Sequence, residues 1–287
     1  MSRTRPLRGA LEPLGPAILA TLLALGAVLR PGPTAAQAPE PLPIARVSYA
    51  EDVVEIARPA KKFARVTDGA VLRSGDRLRT GPNGTARIEF PWMAVTVSAG
   101  SVLSIPETMV LATFLEEGRV DQSAEAGDLL KLVTEEAQVR GEGRVVVRRD
   151  RTTTAVSVLR GAFSVEGTSG TVTLEAGQGT VVKRGAAPSL PSPLPAAPTD
   201  LEPGDDALYV APGAALRLSW TSPFAVHHLE VLPIHSNEVL IAREVEASPA
   251  TIAIPWPGTF RWRVASRDAQ GIEGPPSMEG LVAVVDK

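Results

Sequence analysis

The sequence predicts an all-β protein of two modules, a coiled-sheet domain followed by a β-sandwich, and three observations support this. Segments such as 86–90 (Ala-Arg-Ile-Glu-Phe) and 171–175 alternate apolar and polar residues, which is the period of a half-buried strand. Glycine and proline recur along the chain, and pairs such as Asn83-Gly84 favour tight β-turns. Finally, a proline-rich stretch divides the 287 residues into two parts.

That stretch, residues 186–198, sets the predicted domain boundaries. It holds five prolines, which favour an extended chain and exclude both a helix and the interior of a sheet. We therefore expect a first β-module at 45–185, a linker at 186–198 and a sandwich module at 199–287. Only residues 116–132 could form a helix, and two glycines weaken that interpretation.

One local pattern repeats in the first module: an apolar residue, two residues, glycine, one residue, and another apolar residue. It occurs at 66–71, 97–102 and 115–120, and in a shortened form at 159–163. The spacing between copies is irregular, so a strict solenoid is not indicated. Each copy predicts a strand, a glycine turn and a second strand.

The first 38 residues are predicted to be an export signal peptide. Three arginines precede an apolar stretch at 17–29, and small residues follow at 34–38, with cleavage expected after Ala36 or Ala38. The mature protein would then be periplasmic or secreted. The alternative is an uncleaved segment that remains as a membrane anchor, so membrane contact is expected only in that case.

Composition excludes several functions. The chain has no cysteine, which rules out disulfides, thiolate catalysis and cysteine-held metals. Residues 1–38 hold four Arg and one Glu, so 25 basic and 31 acidic residues remain afterwards, with a net charge of −6. A nucleic-acid partner is therefore not expected, because a polyanion requires a basic face.

Residues 61–185 resemble the FecR-type extracytoplasmic domain. The stretch 69–81 (Gly-Ala-Val-Leu-Arg-Ser-Gly-Asp-Arg-Leu-Arg-Thr-Gly) matches the signature of that family, and 83–90 continue it. Residues 130–140 and 171–182 match later strands. Two departures occur: Gly141-Glu142 replaces the family's Gly-Thr, and Pro91-Trp92-Met93 replaces its usual turn.

This resemblance implies a β-helix-like domain that acts as a sensor or protein-binding module. The best-known members are membrane-spanning regulators of sigma factors, with a cytoplasmic segment before the membrane helix. Here only about 15 residues precede the apolar stretch. The usual signalling role is therefore not expected of this chain.

Residues 199–287 resemble fibronectin type III-like or immunoglobulin-like bacterial modules. The likeness depends on the alternating 216–220 (Leu-Arg-Leu-Ser-Trp) and on 258–264 (Gly-Thr-Phe-Arg-Trp-Arg-Val), with the turns at 265–271 and 274–277 that follow. It implies a sandwich and carries no function.

Few residues of the sequence are candidates for a catalytic or metal-binding site. His227 and His228 are adjacent on a predicted strand, so they should face opposite ways, with His227 inward, and cannot both bind one metal. A site of His228 and His235 has neither a cysteine nor an HxH pair to support it. The carboxylate pairs at 116–117, 135–136 and 205–206 are expected on turns or the surface. Neither a nucleophile elbow nor a phosphate-binding glycine loop is present. We expect no catalytic residue, no cofactor and no metal.

A cluster of basic residues is the one weak site candidate. Arg144, Arg148 and Arg149 lie on a predicted strand and could form a contact patch for an anionic envelope polymer. The alternative is a solvated strand edge protected by charge.

Together these features predict an exported, non-enzymatic binding or scaffold protein of the bacterial cell envelope, whose FecR-like domain contacts a partner protein or an envelope polymer. The alternative is a membrane-anchored extracytoplasmic sensor with an uncleaved N-terminal helix.

Overall fold

The computed structural model describes residues 43–106, 112–124, 127 and 129–285, and every regular element within them is a β-strand. The all-β prediction is therefore confirmed. The segment 116–132, the one place where a helix could have formed, has none in its described part, which begins in one strand and ends in another. The predicted signal peptide, 1–38, lies outside the described residues. Among those residues, no helix is long and apolar enough to cross a membrane.

Fifteen strands form one large sheet that carries the first module. Their bounds are β1 (Pro43–Glu51), β2 (Val54–Ala57), β3 (Ala64–Arg65), β4 (Val71–Arg73), β5 (Arg77–Thr80), β6 (Thr85–Phe90), β7 (Met93–Val97), β8 (Val102–Ser104), β9 (Thr113–Ser123), β10 (Leu130–Val133), β11 (Gln138–Asp150), β12 (Thr153–Gly167), β13 (Gly170–Glu175), β14 (Gln178–Lys183) and β15 (Ser192–Pro193).

This sheet runs in the order β15-β14-β12-β11-β10-β9-β7-β6-β1-β4, with β2, β3, β5, β8 and β13 attached as branches. Nearly all of its pairs are antiparallel, and β11 and β12 form the longest one. Alternate residues of these strands face inward and share a single apolar core, from Val47 of β1 to Val182 of β14. A single core under so many strands requires the sheet to coil around it.

Nine further strands form the second module. They are β16 (Thr199–Glu202), β17 (Leu208–Val210), β18 (Ala215–Thr221), β19 (Val226–Pro233), β20 (Ile241–Val245), β21 (Ala250–Ala253), β22 (Gly258–Arg267), β23 (Glu273–Pro276) and β24 (Gly280–Val284).

These nine strands make two sheets that pack face to face as a sandwich. One sheet has the order β16-β18-β21, and the other runs β17-β24-β22-β19-β20 with β23 attached to β22. Trp220 of β18 and Trp262 of β22 meet in the core between them, with ring centroids 6.2 Å apart. The tryptophans of the two resemblance motifs are therefore core residues.

The glycines of the repeated sequence pattern all have a left-handed backbone, with φ between 67° and 93°. Gly69 and Gly100 lie in turns between strands, as expected. Gly118 and Gly161 instead lie inside β9 and β12, next to irregularities in strand register. In those two copies the pattern marks a bulge within one long strand, because a left-handed residue bends a strand without ending it.

The proline-rich residues 186–198 run along the edge of the large sheet. Residues 192–193 pair with β14 as β15, and Ser189 donates its backbone N–H to the Val181 carbonyl at 2.9 Å. Proline tolerates such an edge position because only one side of the strand needs donors.

The two modules are in direct contact, and residues 41–287 form one compact unit. At the edge of β20, the Ala242 N–H donates to Thr85 Oγ1 at 3.0 Å, and the Ala242 carbonyl accepts from the Ala99 N–H at 3.1 Å. The Glu273 N–H donates to Ser157 Oγ at 2.9 Å. First-module groups thus satisfy backbone groups at the edge strands of the sandwich.

Candidate functional site

The three arginines of the predicted contact patch lie on β11, but their side chains leave it on opposite faces. Arg144 pairs with Asp121 (2.7 Å), and Arg148 pairs with Glu244 of the second module. Arg149 is on the other face and binds carboxylates of its own module. The three side chains therefore do not form one surface, and a contact role for them remains a prediction.

Arg149 is held by the carboxylate pair Glu135 and Glu136, at 2.7 and 2.8 Å. Glu135 is exposed, as expected, whereas Glu136 is buried and also accepts a hydrogen bond from Thr154 Oγ1 at 3.1 Å. Burial alone would raise the pKa of Glu136, but the bonds from Arg149 and Thr154 hold it below its ordinary value. These bonds tie the segment between β10 and β11 to Arg149, which lies near the C-terminal end of β11.

The opposite face of β9 and β11 carries a group of buried charges between the two modules. We call it the charge cluster, and its members are Arg119, Asp121, Arg144, Glu230, Arg263 and Glu273. Three carboxylates face three guanidinium groups, so the charges balance. Local sequence explains the positions of two first-module members. Arg119 comes directly after the bulge at Gly118, and Asp121 lies two residues further along β9, on the same face.

Arg119 is the centre of this cluster, and its side chain is only 3% exposed. Both carboxylate oxygens of Glu273 accept hydrogen bonds from it, at 2.6 and 2.8 Å, across 154 residues of sequence. A third bond goes to Ser98 Oγ at 3.0 Å. Burial alone would lower the pKa of Arg119, but the charges of Glu273, Glu230 and Asp121 hold it above its ordinary value.

Glu230 connects the cluster to the middle of the sandwich sheet. It accepts from Arg263 on the neighbouring strand at 2.7 Å, and Arg119 lies 3.8 Å away. Burial alone would raise its pKa, but His228, Arg263 and Arg119 hold it well below the ordinary value. His228 Nε2 is 3.6 Å from the carboxylate, which is beyond hydrogen-bond length.

Glu273 shows the same balance of effects. Burial alone would raise its pKa, but the charge of Arg119 and the hydrogen bonds from it hold the pKa below the ordinary value. Glu230 and Glu273 are therefore ionised and paired at neutral pH. Neither has a proton available for general acid catalysis.

The two adjacent histidines face opposite ways, which confirms that prediction. His227 points into the sandwich core and meets Trp220 edge-on, with ring centroids 5.1 Å apart. Burial lowers the pKa of His227. His228 faces the charge cluster instead, and His235 is exposed beyond the end of β19. Within the described residues, no three His, Asp or Glu side chains are grouped so that they could hold a metal.

A cleft of about 620 Å³ opens where the large sheet meets the turn between β22 and β23. Three cationic residues line it, Arg148, Lys183 and Arg267, and we call it the basic cleft. Arg148 and Arg267 share one carboxylate, that of Glu244, which lies 2.9 Å from Arg267. The lining of the basic cleft thus holds three cationic side chains and one carboxylate, that of Asp150.

A second concavity, of about 960 Å³, lies beside the turn between β6 and β7. Trp92 sits in that turn and packs on Phe90 with ring centroids 5.8 Å apart. Arg87 and Glu89 pair with each other on its wall, so it has no excess charge there. Phe90 and Trp92 thus give this concavity an aromatic wall.

The sequence pointed to Arg148 as a site candidate but did not point to the charged residues that surround it in the structure. Arg119, Glu230 and Glu273 occupy polar positions of alternating strands, which normally face water. Arg267 and Lys183 lie on different modules, more than 80 residues apart in sequence. A short stretch of sequence does not show that a second module covers these faces.

Comparisons with known proteins add little. No family model matches the chain, and no curated protein matches it. Two crystal structures of a candidate anti-sigma factor from Parabacteroides distasonis are similar with a TM-score of 0.35 and 19% identity, over 41% of this chain and 59% of that one. This chain thus spans about three fifths of that protein.

Titin domains A168–A170 are similar with a TM-score of 0.27 and 14% identity, over 86% of this chain and 97% of the titin fragment. At these TM-scores neither likeness carries an argument about function or family.

Proposed function

We propose that this chain is an exported, non-enzymatic binding or scaffold protein of the bacterial cell envelope, periplasmic or secreted. Its FecR-like module would contact a partner protein or an envelope polymer, with a fibronectin type III-like or immunoglobulin-like module fixed beside it. The observation that supports this best is the charge cluster. In it, Arg119 of the first module pairs with Glu273 of the second and lies 3.8 Å from Glu230, and the other three members surround these pairs.

A fixed pair of modules suits a scaffold because it presents one surface of constant shape. A buried ion pair contributes little net stability over an apolar contact, but it restricts the geometry in which its members can be satisfied. Arg119 and Glu273 form a two-pronged bond that only one docking geometry allows. A partner would then bind without any change in how the two modules are arranged.

The non-enzymatic part of the proposal is supported by the pairing of the buried acids. Glu136, Glu230 and Glu273 all have pKa values held below the ordinary value by arginine partners. A general acid at neutral pH needs the opposite shift. These groups therefore have structural roles in the proposal.

Export is tested by fractionating a bacterial host that produces the full chain and measuring the intact mass of the product. We expect a periplasmic or secreted protein that begins at Gln37 or Pro39. A full-length chain in the inner membrane would support the anchored sensor instead. A full-length chain in the cytoplasm would contradict both functions.

Binding is tested with the recovered protein against purified cell-wall sacculi and against solubilised envelope proteins after cross-linking. We expect a saturable partner that the Arg119→Met variant captures weakly, because its modules are held together less firmly. The matched control is Arg77→Met, which removes an exposed ion pair with Glu116. Equal capture by both variants would show that the joined geometry plays no part.

A further inference from the structure

We infer that the basic cleft binds an oxyanion, a phosphate or carboxylate group carried by a small ligand. This inference deepens the proposed binding function by naming the chemistry of a ligand. It rests on that proposal only in assuming a binding role, and its test needs neither export nor a protein partner.

The basic cleft carries an excess of positive charge. Arg148 of β11 and Arg267 of β22 bind the same carboxylate, that of Glu244 on β20. Both arginines line the cleft together with Lys183, whereas Asp150 is the carboxylate among its lining residues. One carboxylate thus serves two partly exposed arginines, and Asp150 is the acid that the lining sets against its three cations.

Two cationic side chains of the cleft have donors without acceptors. Arg267 Nε is buried and has no hydrogen-bond partner among the described residues. Lys183 is exposed at the cleft, and within the same part of the chain its ammonium group has no partner. Leaving a buried charged donor unsatisfied is costly, and an oxyanion accepts from several donors at once.

The charges of the two arginines repel each other. Burial lowers the pKa of Arg148, and the neighbouring charge of Arg267 lowers it further against the opposing effect of Glu244. The negative charge of a bound anion would oppose both effects. The pKa direction therefore agrees with the geometry of the shared carboxylate.

Size and lining restrict the ligand. A volume of about 620 Å³ lies within the range of about 300–1,000 Å³ typical of ligand pockets. Ala155 and Val181 give the cleft an apolar floor, and Asp150 is the one carboxylate on its wall. No aromatic ring is among the described lining residues, so charge and not stacking would select the ligand.

The test uses three sugars built on one ring, glucose 6-phosphate, glucuronate and glucose, titrated into the purified full-length chain by calorimetry at low salt. We expect saturable binding of at least one charged sugar and none of glucose. Binding should weaken as salt screens the charges. The phosphate and carboxylate probes distinguish which oxyanion the cleft prefers.

Two variants locate the binding. Lys183→Gln changes an exposed side chain and should keep the fold, while Arg267→Gln removes the unsatisfied donor. Each should weaken binding by about tenfold, the effect of one charge-assisted hydrogen bond. Arg217→Gln, on the exposed face of β18, is the matched control and should bind as wild type does.

Two results would overturn the inference. One is no saturation by either charged sugar at millimolar concentration. The other is binding that Lys183→Gln and Arg267→Gln leave unchanged, because the site would then lie elsewhere. Neither result affects the export or partner experiments, so the two proposals fail separately.

Discussion

At the scale of single residues, Arg119 has an unusual position, a guanidinium group almost without exposure that faces three carboxylates. Its partners come from both modules, Asp121 on its own strand and Glu230 and Glu273 from the sandwich. Removal of such a residue does more than delete contacts. It leaves buried negative charges with too few partners, and that cost dominates.

We therefore expect Arg119→Met to lower the free energy of unfolding by about 3–5 kcal/mol, measured in urea. Arg77→Met, which breaks the exposed pair with Glu116, should cost less than about 1 kcal/mol. The double variant Arg119→Met with Glu273→Met should recover part of the loss, because one stranded charge is removed as well. Equal effects of the two single variants would contradict a central role for Arg119.

Acid should destabilise the protein through the same residues. The folded-state pKa values of Glu230 and Glu273 are lowered from 4.5. A carboxylate with a lowered pKa stabilises the fold above its unfolded pKa, and this contribution is lost as pH falls through the folded value. The titration occurs beside Arg119, Arg144, Arg263, Asp121 and His228, the other ionisable groups that face these carboxylates.

The measurement is the free energy of unfolding from neutral pH down to pH values below 4.5. In the Glu273→Gln variant one of these titrations is missing, so its stability should fall less steeply with acid than that of wild type. Parallel curves for the two proteins would show that Glu273 does not titrate with a shifted pKa.

At the scale of elements, the stretch at 69–81 can be explained by turn chemistry. Gly69 and Gly75 both adopt a left-handed backbone, with φ of 84° and 83°. Asp76 Oδ2 accepts a hydrogen bond from the Arg73 N–H at 2.8 Å, which closes the turn between β4 and β5. The alternating segments 86–90 and 171–175 lie in β6 and β13, so in these places local patterns predicted the strands.

Other elements were not predictable from local patterns. Gly118 resembled a turn glycine because the sequence signal for a bulge and for a turn is the same positive φ. The face of β19 that carries Glu230 resembled a solvated face because a glutamate alternates there with Leu229 and Val231. That face is buried by a module distant in sequence, which no short window can report.

Gly118 offers a test at this scale. A Cβ at this position would lie 2.5 Å from Ser101 Cα, and φ is 93°. Gly69 has a similar φ of 84°, but a Cβ there would meet nothing within 4 Å. We expect Gly69→Ala to cost about 1–2 kcal/mol from backbone strain alone, and Gly118→Ala to cost clearly more.

Thermal unfolding of the two variants separates these contributions. Because the clash of Gly118→Ala involves backbone as well as side chain, relaxation can relieve only part of it. Equal losses in the two variants would mean that the β8 and β9 strands can move apart, and that the bulge does not fix the position of Arg119.

At the scale of the whole molecule, the account depends on the joining of two modules into one unit. The predicted linker would allow two independent bodies, whereas the structure packs its residues along β14 and buries charges between the modules. The strands of the two smaller sheets all lie within 199–287, whereas β15 of the large sheet lies inside the predicted linker. The predicted boundaries do not separate two compact units, because residues 41–287 form a single one.

Joined modules should unfold together. Three of the four tryptophans, Trp220, Trp256 and Trp262, lie in the second module, and the fourth is Trp92. In a Trp92→Phe variant, fluorescence therefore reports the second module alone, while far-ultraviolet circular dichroism reports the strands of both. The two signals provide independent probes of one equilibrium.

The most direct measurement is urea unfolding of this Trp92→Phe protein followed by both signals, with and without Arg119→Met. We expect the fluorescence and dichroism midpoints to coincide when Arg119 is present and to separate when it is replaced. Separate midpoints in the protein that retains Arg119 would contradict the account, because the charge cluster would then not join the modules.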